Sequence, residues 1–329
     1  MVGIRGRRRP VVLALETLGV AAGYYAAGRL GLLRGLAVDQ AVVTPIWPPT
    51  GVALACLLIL GLRAAPGIAL GALCVVLSLS TPGPSTIGVV AGNTAAPVCA
   101  YLMLRRAGFR ADLARLRDGL ALVFLGALTG MVISACTGVA LLLAAGKVDT
   151  GSLLPVWLAW WVGDAMGVVL VTPLLLVLHR ARGAPLGEVR WKEAGGLAVV
   201  ACVLVPLATQ STLDVQFLVY PLLIWAALRF QLAGSILCAL LASVLATLAA
   251  TDGRGPFTGL TETEVMMKLQ AFNGTMALTA LLLSAVITEQ RTTRQSVERA
   301  CLELAAALEH LTAGDSPPGR RPGGDGPLS

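Results

Sequence analysis

The sequence predicts an all-α polytopic membrane protein with eight to ten transmembrane helices and both termini in the cytoplasm. Of its 329 residues, 56% are hydrophobic and 13% are charged, and the mean hydropathy is +0.80. Soluble domains, by contrast, are about 45–50% apolar and about 25% charged. The apolar residues form blocks of about 16–25 residues, the length that an α-helix needs to cross about 30 Å of hydrocarbon.

Ten such blocks follow one another along the chain. They are residues 11–30, 47–62, 64–81, 85–104, 118–145, 153–178, 194–210, 216–229, 232–250 and 268–288. Several blocks are short or contain a proline, which interrupts helical hydrogen bonding. Eight or nine crossings therefore remain alternatives to ten, and the blocks 194–210 and 216–229 carry the weakest signal.

The distribution of basic residues indicates the topology, because Lys and Arg favour the cytoplasmic loops of membrane proteins. If the N-terminus lies inside the cell, ten crossings place all but five of the 25 basic residues on the cytoplasmic side. The five exceptions are Arg29, Arg34, Lys147, Arg254 and Lys268. This bias predicts a basic cytoplasmic N-terminus at residues 1–10. It also accounts for the net charge of +7, so no nucleic-acid partner is expected.

The residue types predict neither a catalytic site nor a metal or cofactor site. The seven cysteines are isolated and lack the paired spacing of a disulfide framework or a zinc site. With two histidines in the chain, a histidine-rich metal centre is excluded. No phosphate-binding glycine loop, HExxH motif or nucleophile elbow occurs. We therefore expect a protein that is not an enzyme and carries no cofactor.

Beyond the last block, the sequence predicts a cytoplasmic helix over residues 289–311. Its apolar residues step by 4, 3, 4 and 3, as in a coiled-coil seam; they are Val297, Cys301, Leu304, Leu308 and Leu311. Because only about two heptads are present, an isolated apolar helix face and a homodimer contact through 289–311 both remain open. Residues 312–329 are rich in Gly and Pro, contain Leu328 as their one large apolar residue, and are expected to be disordered. This leaves 11–288 as the membrane-embedded domain.

Asp164 is the acidic residue within the apolar block 153–178. An ionised carboxylate at such a depth costs about 2.5–3.5 kcal/mol on insertion scales, so Asp164 should face a partner or a water-filled cavity. Gly163 and Gly167 lie four residues apart and predict a close contact with another helix on the same face.

Other polar and aromatic residues are predicted at a similar depth. Asn93 and Asn273 fall with Asp164 in the outer half of the bilayer, and the loop that contains Arg254 lies on the same side. We expect a pocket open to the extracytoplasmic face, with Arg254 as a candidate cationic partner of Asp164. The candidate ligand-binding residues are Asp164, Asn93, Trp47, Trp160, Trp161, Arg254 and Asn273. An Asp–Asn hydrogen bond that only joins helices is the alternative, and Trp47 before two prolines is also typical of an anchored helix start.

Several short motifs resemble those of one known family when they are taken in order. They are WPPTGVALA at 47–55, LG at 60–61 with PGIALG at 66–71, GNT at 92–94, WWVGDAMG at 160–167 with TPL at 172–174, YPLLIWAALRF at 220–230 and GRGPF at 253–257. This ordered set is similar to the first membrane-associated sensor domain family (the MASE domain, type one). The resemblance covers residues 12–290.

The resemblance implies a signal-input module in a bacterial plasma membrane, in contact with the lipid bilayer, whose ligand is not generally established. Family members commonly continue into sensory, kinase or nucleotide-cyclase domains, whereas here the 289–311 helix and the tail follow. We therefore expect a sensor that passes an extracytoplasmic or intramembrane cue to a separate histidine kinase or cyclic-di-GMP enzyme. A derivative without a signalling role is one alternative. A small-molecule transporter or carrier subunit is another, since broken helices and a buried carboxylate also suit a carrier.

Overall fold

The computed structural model describes residues 3–33, 36–38, 41–79, 81–182 and 191–314, and almost all of them are helical. The helices are α1 (Gly3–Leu32), α2 (Pro48–Leu60), α3 (Ala65–Leu79), α4 (Pro84–Arg106), α5 (Leu116–Ala121), α6 (Gly130–Ala144), α7 (Leu153–Met166), α8 (Thr172–Ala181), α9 (Trp191–Gln210), α10 (Val219–Thr251) and α11 (Glu262–Gly314). Two π-helical segments, Leu122–Thr129 and Gly167–Val171, join α5 to α6 and α7 to α8. Between α1 and α2, two short antiparallel strands, β1 (Leu36–Val38) and β2 (Ala41–Val43), form a hairpin.

Within the described residues, eight helical stretches are long and apolar enough to cross a membrane. They are Val11–Leu32, Pro48–Leu79, Ser85–Arg106, Leu116–Ala144, Thr150–Ala181, Trp191–Gln210, Gln216–Thr251 and Glu262–Glu309. A helix satisfies its own backbone hydrogen bonds, which is what a segment surrounded by hydrocarbon requires. The prediction of an all-α polytopic membrane protein with eight to ten spans is confirmed.

The stretch that contains α2 and α3 reverses direction at Gly61. This glycine has φ 71° and ψ −161°, a backbone conformation that residues with a side chain rarely adopt. A Cβ built on Gly28 of α1 would lie within 3.5 Å of both Pro49, at the start of α2, and Val75, near the end of α3. Because the start of α2 and the end of α3 are neighbours, the two helices are antiparallel arms of a hairpin.

The stretch that contains α10 reverses in the same way at Gln231, which has φ 53° and ψ −139°. Hydrogen bonds to α11 show the direction of each arm; the pairs are Tyr220 with Thr275, Leu228 with Arg291, Ser235 with Ser284, and Pro256 with Lys268. The first arm, 219–230, therefore runs parallel to α11 and the second, 232–251, runs antiparallel to it. Among the described residues, the eight stretches thus comprise ten helical arms, in the positions of the ten apolar blocks.

Ion pairs lie at the two ends of the bundle. At the end where α1 begins and α11 leaves, called the terminal end below, the pairs are Arg229 with Glu193 at 3.4 Å and Arg115 with Asp118 at 2.7 Å. At the opposite end, called the distal end, Lys268 pairs with Asp214 at 2.7 Å and Arg254 with Asp252 at 3.7 Å. An even number of arms returns the chain to the end where it started. That this end is cytoplasmic remains a prediction from the charge bias.

Of the three clusters of buried apolar residues in the described part of the chain, the two largest meet at α2. The smaller cluster joins α1, α2 and α3 and includes Val20, Leu57 and Ile68. The larger one extends from α2 and α4 to α11 and includes Leu54 and Leu170. Helix α2 contributes to both, so the contact between its first turn and α7 lies on the boundary between the clusters.

Helix α11 continues well beyond the last apolar block. It has 53 residues, which corresponds to about 80 Å at 1.5 Å per residue. The predicted helix over 289–311 forms part of it, and the helix ends at Gly314, three residues into the segment predicted to be disordered. Residues 315–329 lie outside the described residues. The side chains of Val297, Leu304 and Leu308 are 57–64% exposed, so a homodimer through this face remains a prediction.

Candidate ligand cavity at Asp164

The start of α2 packs directly on the C-terminal end of α7 and the beginning of the π-helical segment that follows it. The Trp47 N–H donates a hydrogen bond to the Gly163 carbonyl oxygen at 2.9 Å. A Cβ on Gly167 would lie 2.0 Å from the Trp47 carbonyl oxygen, and one on Gly51 would lie 2.1 Å from the Gly167 carbonyl oxygen. Both neighbouring atoms are backbone atoms, so neither can move aside cheaply. The WPPTG and WWVGDAMG motifs therefore form one close backbone contact that requires glycine.

Asp164 lies at this contact with only 1% of its surface exposed. The hydroxyl of Thr50, in the first turn of α2, donates to Asp164 Oδ1 at 2.7 Å. The start of α2 also brings the partial positive charge of a helix N-terminus near the carboxylate. Asp164 Oδ2 is buried and has no partner with hydrogen-bond geometry among the described residues, and the Ser134 hydroxyl and the Trp160 indole also lie near the carboxylate. Because leaving a buried carboxylate oxygen unpaired is costly, this atom marks a place where a further group fits.

A partly enclosed cavity of about 130 Å³ lies beside Asp164. It occupies the boundary between the two apolar clusters, where α1, α3, α4, α7 and the segment before α2 meet. Its polar and aromatic lining residues are Tyr24, Thr44, Trp47, Asn93, Trp160 and Asp164. Most other lining residues are aliphatic. The cavity reaches Leu32 and Leu79 at the ends of α1 and α3, which places it toward the distal end.

Helix α6 holds two of the lining side chains in place. The Asn93 amide nitrogen donates to the Val89 carbonyl oxygen at 3.0 Å, and its Oδ1 accepts from the Ser134 hydroxyl at 3.5 Å. The Trp160 ring packs on Gly138, where an added Cβ would lie 2.7 Å from the ring. The hydrogen-bonding atoms of Asn93 are therefore engaged within the protein, whereas Asp164 Oδ2 is not.

A comparison with known families identifies the family of the chain. The model of the MASE1 family matches residues 17–291, which is most of the chain. The chain belongs to the MASE1 family. MASE1 is a membrane-associated sensor domain family, in agreement with the motif resemblance. No similar curated protein and no similar solved structure was found.

The MASE1 fold brings four of the seven predicted site residues to one cavity. They are Trp47, Asn93, Trp160 and Asp164. Trp161 has a different environment, although it is adjacent to Trp160 in the chain. Its indole nitrogen donates to the Leu128 carbonyl oxygen at 2.7 Å, and its ring stacks on Trp157 with 5.3 Å between centroids. Trp161 therefore joins α7 to the π-helical segment between α5 and α6.

Arg254 and Asn273 are not among the described residues that line the cavity. The Arg254 side chain is 71% exposed and pairs with Asp252, so the predicted pairing of Arg254 with Asp164 is corrected: the carboxylate bonds to Thr50. The Arg254 guanidinium lies at the distal end, where it stays hydrated. Asp164 lies eleven residues after the first residue of α7, which corresponds to about 16 Å along the helix from that end. Asn273 is fully buried in α11, where both amide atoms lack a partner among the described residues.

Three residues of the site escaped the analysis of the sequence as ligand contacts. Tyr24 and Thr44 are 2% and 8% exposed and line the cavity, and Thr50 binds the carboxylate. Thr50 lies inside the WPPTG motif, and a tyrosine in the middle of the apolar block 11–30 is a detectable polar exception. Thr44 follows the β-hairpin, and nothing in its sequence context signals its position.

Proposed function

We propose that this protein is a signal-input domain in which a cue from the extracytoplasmic side or from the bilayer binds in the Asp164 cavity. One observation carries the proposal: a buried carboxylate with one unpaired oxygen belongs to a residue that lines a cavity at a glycine-mediated helix contact. A ligand that pairs with this oxygen has a reason to prefer one packing of α2 on α7 over another. Such a difference in affinity is what a conformational signal requires.

The contacts of α7 provide a route for the signal to α11. The Gln270 amide nitrogen on α11 donates to the Ala159 carbonyl oxygen on α7 at 3.2 Å, and Gly274 lies beside Met166. The π-helical segment Gly167–Val171 begins three residues after Asp164. Single π-helical turns in α-helices are frequent at functional sites. A shift of α7 at Asp164 would therefore move the part of α11 that touches it.

Two hydrogen bonds join α11 to other helices at the point where it leaves the bundle. The carboxylate of Glu289 accepts a hydrogen bond from the Leu116 N–H, at the start of α5, at 2.8 Å. The Arg291 guanidinium donates to the Leu228 carbonyl oxygen, close to the reversal of α10. Beyond this point α11 is exposed, and we propose that it reports the state of the bundle to an output protein, a histidine kinase or a cyclic-di-GMP enzyme.

Crosslinking in native membranes tests this proposal. A photoreactive amino acid at Leu304, on the exposed face of α11, should capture the output protein, and Asp164→Asn should change the activity of that protein. Asp149→Asn is the matched control, because Asp149 is exposed and does not line the cavity. Unchanged output activity in a folded Asp164→Asn protein would contradict reception at this cavity.

A carrier is the rival function, because α2 starts within the bundle beside a buried carboxylate. Transporters often place substrate sites at such interrupted helices near the bilayer centre. Proteoliposomes that contain only this protein should show no net uptake of a labelled solute if the protein is a sensor. Saturable uptake that Asp164→Asn abolishes would instead establish the carrier.

A further inference from the structure

The charges around the cavity determine the sign of its ligand. Asp164 is the acidic residue of the lining, and none of the described lining residues is Lys, Arg or His. An anion would meet an uncompensated carboxylate in a poorly hydrated space and would be repelled. A cation would instead compensate the charge of the carboxylate, which has neutral neighbours and one oxygen without a hydrogen-bond partner among the described residues.

The walls of the cavity favour an organic cation over a metal ion. Hard metal cations such as Ca²⁺ need about six to eight oxygen ligands. Within the described residues, no three His, Cys, Asp or Glu side chains lie close enough to hold a metal ion. The cavity has instead the aromatic side chains of Tyr24, Trp47 and Trp160 and aliphatic side chains from α3. Aromatic faces attract alkylammonium groups, and aliphatic walls accept their carbon atoms.

The volume limits the size of the cation. The cavity of about 130 Å³ is far larger than the 10–15 Å³ or so that one water needs, yet well below the roughly 300–1,000 Å³ of pockets for drug-sized molecules. It suits a compact molecule of a few heavy atoms.

We infer that the cavity binds a small organic ammonium ion, with the charged nitrogen beside the Asp164 carboxylate and its carbon substituents against Tyr24, Trp47 and Trp160. This inference rests on the proposed function, because it names the chemical class of the cue that the same cavity receives. The amine could be a free solute or part of a larger molecule. The size of the probes that bind distinguishes these two sources.

Three probes of the same shape and different charge test the inference on the full chain in lipid nanodiscs. They are tert-butylammonium chloride, tert-butanol and sodium pivalate. Saturable quenching of tryptophan fluorescence and a rise in the unfolding temperature are the two readouts. We expect tert-butylammonium to bind about tenfold or more tightly than tert-butanol, because only the cation pairs with the carboxylate, and pivalate to show no saturable effect.

Two cavity variants and one control variant locate the effect in the cavity. Asp164→Asn should reduce ammonium binding by about tenfold or more and leave tert-butanol unaffected, while Asp149→Asn should change neither. Val76→Phe, on the cavity wall, should weaken tert-butylammonium binding by filling space without touching the carboxylate. Because the charge series is measured on the unaltered protein, the result does not depend on either variant folding.

Three results would overturn the inference: equal binding of the three probes, tighter binding of pivalate or tert-butanol, or no saturable binding of tert-butylammonium and of the smaller methylammonium. These results leave the proposed function standing, because that proposal is judged by the activity of the crosslinked output protein in Asp164→Asn. Conversely, ammonium binding with unchanged output would support the ligand class and contradict the sensor.

Discussion

Asp118 and Asp164 are two carboxylates with the same burial and opposite surroundings. Each is 1% exposed. Asp118, at the terminal end, accepts hydrogen bonds from Arg115 Nε at 2.7 Å, from Arg115 Nη2 at 2.9 Å and from the Arg110 N–H at 3.1 Å. Asp164 accepts one bond from Thr50, and its second oxygen is left without a partner in the described part of the chain.

The comparison shows how a structural carboxylate differs from one available to a ligand. Asp118 is neutralised by a guanidinium and fixes the loop before α5, where Glu289 also holds α11. It has no capacity left for another molecule. Asp164 instead keeps an acceptor oxygen without a partner on a residue that lines a cavity, and leaving that oxygen unpaired costs free energy that a cation would offset.

The largest expected effect comes from breaking the contact that holds Asp164 in place. Gly167→Val puts a side chain where a Cβ already lies 2.0 Å from the Trp47 carbonyl oxygen. We expect a loss of more than about 3 kcal/mol, seen as little or no folded protein by size-exclusion chromatography. Gly195→Ala is the control: no atom lies within 4 Å of its added Cβ, and we expect a change below about 1 kcal/mol. A well-folded Gly167→Val protein would show that the contact is not rigid.

Asp118→Asn should destabilise the protein, because it removes the negative charge that accepts two hydrogen bonds from the Arg115 guanidinium. Hydrogen bonds to charged groups contribute about 1.5–3 kcal/mol each in favourable cases, and the 34% exposure of Arg115 reduces this value. We expect a loss of about 1–3 kcal/mol, measured as a lower unfolding temperature in detergent. An unchanged unfolding temperature would mean that water replaces the ion pair between Arg115 and Asp118 without loss of stability.

Asp164→Asn should not destabilise the protein, in contrast to Asp118→Asn. It removes an incompletely paired buried charge and keeps an oxygen that can accept from Thr50. We therefore expect the unfolding temperature without ligand to stay the same or to rise, while stabilisation by tert-butylammonium is lost. If Asp164→Asn destabilises the protein as much as Asp118→Asn does, Asp164 is a structural residue and the contrast fails.

The smallest effect is expected at Arg254, which the sequence analysis placed beside Asp164. Its side chain is 71% exposed and lies 3.7 Å from Asp252, so Arg254→Gln should change stability by less than about 0.5 kcal/mol. Ligand binding should also be unchanged in a titration of tryptophan fluorescence. A loss of binding would show that the distal loop moves onto the cavity when a ligand is present.

Much of the fold could be predicted because each apolar block is specified locally. The blocks 47–62 and 64–81 were separated at the point where Gly61 reverses the chain, and 216–229 and 232–250 were separated at Gln231. The site was predicted only in part. Asp164, Asn93, Trp47 and Trp160 share a depth and do meet, but Trp161 turns to Leu128 and Asn273 is buried elsewhere in α11.

The sequence alone determined the placement of the membrane segments, with their number left between eight and ten, and the presence of a costly carboxylate in one of them. Both follow from local chemistry: a backbone in hydrocarbon must bond to itself, and a charge there needs compensation. Only the tertiary structure decided what compensates Asp164, because Thr50 is 114 residues away in the chain and Tyr24 is on another helix. Depth in the membrane can be counted along one helix, whereas the face that each helix turns to its neighbours depends on the packing of all of them at once.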